Sequence, residues 1–150
     1  MRSLLTAIVL LVLLASEARA NWEYTKWGMT PNQVVRASRG SVEVVPKAAR
    51  YRDDVEHWEI AARGTFVSGS LTLDVEFTFN LKNRGLRCVL YNATGDQVPV
   101  LKDKMLKANG PPAKESNAGG ATKLVWNTPD KISLVMARND GTAVLTHCAP

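Results

Sequence analysis

Between Leu71 and Asn80 the chain alternates without a break: Leu71, Leu73, Val75, Phe77 and Phe79 are apolar, while Thr72, Asp74, Glu76, Thr78 and Asn80 are polar. Side chains on a strand point to opposite faces in turn, so this period of two specifies one dry face and one wet face. The dry face needs a second layer over it. After the turn Leu81-Lys82-Asn83-Arg84, the run Gly85 to Tyr91 reads as a returning strand, with Leu86, Cys88 and Leu90 assigned to the dry face and Arg87, Val89 and Tyr91 to the other. Upstream, an extended segment from Trp58 to Val67 meets Ser68-Gly69-Ser70, a hairpin turn. Trp58 to Tyr91 is therefore expected to form a three-stranded antiparallel meander.

Two amphipathic helices supply the second layer. Thr30 is an N-cap residue, Pro31 suits the first helical position and Gln33 completes a capping box, so a helix is expected from about Thr30 to Arg39, with Gly40 past its end. The second helix is expected from Val98 to Ala108, where Val98, Leu101, Met105 and Ala108 recur at helical spacing and Gly110-Pro111-Pro112 stops the chain. Residues 41–56 and 114–120 read as connections, with Val42, Val44 and Val45 hinting at a short strand. Ala121 to Asn127, Lys131 to Arg138 and Thr142 to Cys148 read as three further strands, joined by Thr128-Pro129-Asp130 and Asn139-Asp140-Gly141. The expected fold is a two-layer α+β domain, an antiparallel sheet of about six strands with two helices on one face, in the order helix-βββ-helix-βββ. Leu73, Val75, Phe77, Leu101, Met105, Trp126 and Leu134 are expected in one core.

The first 20 residues carry Arg2, an apolar run from Leu4 to Ala15 and the small-x-small sequence Ala18-Arg19-Ala20, the pattern of a secretory signal peptide cleaved after Ala20. The run is shorter than the roughly 20 apolar residues of a membrane-spanning helix, and no cysteine follows the cleavage point to carry a lipid. Residues 21–150 are then expected to form one domain, periplasmic or secreted, with no stable membrane anchor after cleavage. The chain holds 19 basic and 14 acidic residues; without Arg2, Arg19 and Glu17 these become 17 and 13, a net charge of +4. Two cysteines in an oxidising compartment favour a bridge, so Cys88 and Cys148 are expected to pair.

The run Trp27-Gly28-Met29-Thr30-Pro31-Asn32-Gln33-Val34 resembles the opening of small exported bacterial proteins in which a Trp-Gly-Met turn leads into a Ser/Thr-Pro-capped helix. The later order of Phe77 and Phe79, Gly85-Leu86, a helix ending in Gly110-Pro111-Pro112, Trp126 and a final hairpin is similar to the β-lactamase-inhibitor-protein-like fold and to small outer-membrane assembly lipoproteins. The resemblance implies a helix-covered antiparallel sheet and a binding role.

The residues themselves offer little chemistry. His57 and His147 are the two histidines, and no His-x-x-His or Cys-x-x-Cys spacing occurs. His147 and Cys148 are adjacent, and neighbours on a strand face opposite ways, which argues against a Cys-His site. Asp74 and Glu76 share a face but are assigned to solvent, with Arg63 or Arg87 as cross-strand partners. No catalytic residues, metal ligands or cofactor are assigned, and no phosphate loop or basic-aromatic stripe points to nucleic acid. The expected function is a non-catalytic, protein-binding or inhibitor-like module, its partner an unknown protein or envelope component. The alternative is a small-ligand or envelope-polymer binder with Trp22, Tyr24, Trp27 and Trp58 around a cleft, and a hydrolase is a distant third.

Overall fold

The computed structural model describes residues 24–150; the signal-peptide assignment at 1–20 and the candidate aromatic Trp22 lie outside the described residues. The elements are α1 (Pro31–Ala37), β1 (Val42–Val44), a 3-10 turn (Lys47–Ala49), β2 (Arg52–Asp53), β3 (Trp58–Ser68), β4 (Leu71–Asn80), β5 (Leu86–Thr94), α2 (Gln97–Asn109), β6 (Lys114–Ala118), β7 (Ala121–Asn127), β8 (Lys131–Ala137) and β9 (Thr142–Cys148). The strands form one antiparallel sheet in the order β1-β3-β4-β5-β9-β8-β7-β6, with β2 also pairing with β3. The chain is thus α+β, as expected, but the sheet has nine strands rather than about six. The order is helix, five strands, helix, four strands.

The additional strands have a physical reason to escape a pattern search. All five residues of β6 are exposed, so Lys-Glu-Ser-Asn-Ala carries no apolar alternation; only its ladder to β7, from Lys114 opposite Val125 to Ala118 opposite Ala121, makes it a strand. Likewise β2 is a two-residue piece paired with β3, whereas β1 falls where Val42, Val44 and Val45 hinted at a short strand.

On β4 Leu71, Leu73, Val75, Phe77 and Phe79 are each no more than 1 % exposed, and the alternation in burial breaks only at Thr78, a residue of the other face that is buried as well. The assignment of β5 needs correction. Phe79 stands opposite Leu86 and Thr78 opposite Cys88, so one step on β4 spans two on β5 and Arg87 is the extra residue of a bulge. Thr78 fills the irregularity, its hydroxyl accepting the Cys88 N–H at 3.1 Å. Beyond the bulge the phase is reversed: Val89, Tyr91 and Ala93 are buried, while Cys88 and Leu90 turn to the other face. A bulge inverts every later side chain, and nothing in the residue types announces it.

Helix α1 starts as the sequence prescribes, with Pro31 in its first turn and Gln33 Oε1 accepting the Thr30 N–H at 2.8 Å. It ends at Ala37, two residues early, and the chain leaves through Arg39 and Gly40, both at positive φ. Helix α2 buries Leu101 and Met105 fully and lies against β4 and β5, while α1 buries Val34 and lies against β1 and β3. Both join a single apolar cluster that includes Leu73, Val75, Phe77, Trp126 and Leu134. No helix among the described residues is long and apolar enough to cross a membrane.

Cys88 and Cys148 are bonded, across directly opposed positions of β5 and β9 with 4.0 Å between their Cα atoms. The neighbouring pair carries the ladder bond, Ala149 N–H to the Arg87 carbonyl at 2.9 Å, so the cysteines occupy a non-hydrogen-bonded site, where opposed side chains lie closest.

Candidate binding face

With both helices and the core on one side, the other side of the sheet faces solvent. Its residues follow from register. One row runs across eight strands, Glu43-Arg63-Glu76-Leu90-Thr146-Ser133-Val125-Lys114. The next runs Thr65-Asp74-Asn92-Val144-Val135-Lys123-Ser116. Every residue of both rows is exposed or half-buried, whereas their sequence neighbours on β4, β5, β7 and β9 are mostly buried.

The charge on this face is polarised. Glu43, Asp74 and Glu76 surround Arg63 at one end, where they border a depression of about 410 Å³. Lys114, Lys123 and Lys131 lie at the other end, the latter two bordering a second depression of about 380 Å³ with Val125, Ser133 and Thr146. Between them Leu90, Val135 and Val144 form a low apolar centre. Of the two expected cross-strand partners for the acidic pair, Arg63 stands opposite Glu76. Arg87, displaced by the bulge, instead approaches Glu56 Oε2 at 3.6 Å and donates to the Glu56 carbonyl at 2.7 Å.

The candidate aromatics go to separate places. Tyr24 borders a cavity of about 450 Å³ with Ser38, Arg39, Thr65 and Phe66. Trp58 is half-buried and packs on Tyr51 with ring centres 5.5 Å apart. Trp27 packs edge-on against His147, ring centres 5.4 Å apart, and its Nε1 donates to Asp130 Oδ1 at 3.1 Å.

The other carboxylate oxygen of Asp130 lies 2.8 Å from His147 Nε2. An ionised carboxylate only accepts, so in this contact Nε2 is the donor. His147 is buried and Asp130 nearly so, and they tie three segments together: the entry to α1, the β7–β8 turn and β9. The sequence reading missed this joint because Trp27, Asp130 and His147 are separated by 103 and 17 residues. As expected, Cys148 points to the opposite face, and it is bonded to Cys88. His57 is exposed at positive φ, in the turn before β3. Among the described residues no group of three or more His, Cys, Asp or Glu is arranged to hold a metal ion.

Comparison of the chain with protein-family models, with curated proteins and with solved structures gives no match.

Proposed function

We propose that this chain is an exported, non-catalytic binding module, and that a protein partner seats on the solvent-facing side of the sheet. The observation that carries this reading is the polarised face itself. Eight strands about 4.8 Å apart and about seven residues long present roughly 800 Å², the share each partner contributes to an interface of ordinary size. The partner that fits has basic groups opposite Glu43, Asp74 and Glu76 and acidic groups opposite Lys114 and Lys123, with small apolar side chains over Leu90, Val135 and Val144. An aromatic cleft for a small ligand or an envelope polymer has less support, because Tyr24, Trp27 and Trp58 each take different neighbours. Export is supported by the Cys88–Cys148 bond, which belongs in an oxidising compartment.

The test is site-specific photo-crosslinking in cells that export the protein. A crosslinker at Val135 should capture one partner, and the double substitution Asp74→Asn with Glu76→Gln, which removes the acidic charge without setting a cation opposite Arg63, should abolish that capture while the protein stays folded in a thermal melt. A crosslinker at Asp103, on the exposed side of α2, should capture nothing. Capture from position 103 alone, or capture from position 135 that ignores the double substitution, would refute the assignment of the face.

A further inference from the structure

A different place in the molecule gathers positive charge around one buried carboxylate. Glu59 lies in β3 on the same face as its partner Phe79 and is 6 % exposed. Arg50, at the end of the 3-10 turn, donates from Nη1 to Glu59 Oε1 at 2.8 Å and from Nε to the Val45 carbonyl at 2.9 Å. Its side chain is 10 % exposed and is held along its length. Arg84, from the β4–β5 turn, brings Nη2 to within 3.3 Å of the same carboxylate oxygen. Lys47 and Arg52 complete the lining of a cavity of about 260 Å³.

Neutralising Glu59 requires one cation, and the cavity holds four. Arg52 is answered by Asp54. Among the described residues that line the cavity, Glu59 is the one carboxylate facing Lys47, Arg50 and Arg84, an excess of two positive charges. Arg84 is placed there by a specific turn: it sits at φ 61°, a conformation unfavourable for a residue with a side chain. Its N–H donates to the Asn80 carbonyl at 2.9 Å, while Asn80 Oδ1 accepts the Lys82 and Asn83 N–H groups and Asn83 Oδ1 accepts that of Gly85.

From this cluster we infer that the Lys47-Arg50-Arg52-Arg84 cavity binds a doubly charged oxyanion of the phosphate type, free or as the terminal group of a larger molecule. A dianion matches the uncompensated charge, which a single carboxylate does not. Guanidinium forks match the spacing of phosphate oxygens, and the bonds given above leave Arg50 Nη2 and most of the Arg84 donors available. The cavity is smaller than the roughly 300–1,000 Å³ typical of sites that enclose a whole drug-sized ligand, so it suits a single anionic group.

The experiment is a titration followed by backbone-amide NMR at fixed ionic strength, with inorganic phosphate exchanged for chloride, on the parent and on Lys47→Ala and Arg84→Ala, both exposed positions. Saturable shifts confined to residues 47–52 and 80–85, weakened about tenfold or more by either substitution, are expected. Glu59→Gln, which raises the excess charge to three, should tighten binding where a purely structural ion pair would give only a loss of stability. A hexose phosphate saturating the same amides below the phosphate concentration identifies a terminal group, and the reverse order identifies free phosphate; either supports the site. Shifts that stay linear with phosphate, or that survive both alanine substitutions unchanged, overturn it. The site lies apart from the two rows of the binding face, so its failure leaves the crosslinking result standing.

Discussion

Asp130 shows how much one side chain can hold. It accepts from Trp27 Nε1 and from His147 Nε2, so a single carboxylate fixes the entry of α1 to the last strand. Asp130→Ala is expected to cost about 1–3 kcal/mol for each of the two donors it orphans, read as a lower urea midpoint at unchanged slope. At the opposite end of the same strands, the Thr142 hydroxyl holds the Asp140 carboxyl below the usual carboxylate range, helped by the Thr142 N–H and opposed by slight desolvation. The folded value lies below the unfolded one. The contact therefore stabilises above the unfolded value and is lost as the pH falls through the folded one. A carboxyl-carbon NMR titration should find Asp140 low, and Thr142→Val, which removes the larger cause, should move it back up.

At the level of elements, close backbone approach decides where β1 can lie. A Cβ on Gly64 would come within 2.0 Å of the Ser41 carbonyl oxygen and 2.7 Å of the Val42 Cα, both backbone atoms that cannot rotate away. That carbonyl accepts the Thr65 N–H at 3.0 Å, so the approach is part of the ladder. Gly64→Ala should destabilise the protein by about 1–3 kcal/mol or more and should remove hydrogen-exchange protection from β1 before the rest of the sheet. The two faces of β4 offer a paired test. Phe77→Asp buries an unpaired carboxylate and should cost several kcal/mol, whereas the exposed Thr72→Asp should stay within about 0.5 kcal/mol in the same thermal melt.

The whole molecule is two runs of antiparallel strands, β1 to β5 and β6 to β9, joined where β5 meets β9. The disulfide crosses that seam and closes a separation of 60 residues. Replacing both cysteines by serine should cost about 4 kcal/mol in the chain-entropy account, and guanidinium unfolding of the parent with and without reductant should show a similar loss. Thiol titration of the unfolded, unreduced protein should find no free thiol.

The residues alone determined the dry face of β4, the stripe of α2 and the capped start of α1, because each is written within a few positions as a period of two, a period near 3.6 or a cap. The Cys88–Cys148 bond was legible for a different reason, since two cysteines allow one pairing. What depends on neighbours in space was not legible. The phase of β5 turned on Arg87 being extruded, β6 on a ladder without apolar pattern, and the Trp27-Asp130-His147 joint and the Arg50-Glu59-Arg84 cluster on segments far apart in the chain. The polarised face is an intermediate case: its outward residues on β4 could be assigned by parity, but only the tertiary pairing set Glu43 and Lys114 at opposite ends of one row, because lateral order in a sheet is decided by which strands pair and not by any one strand.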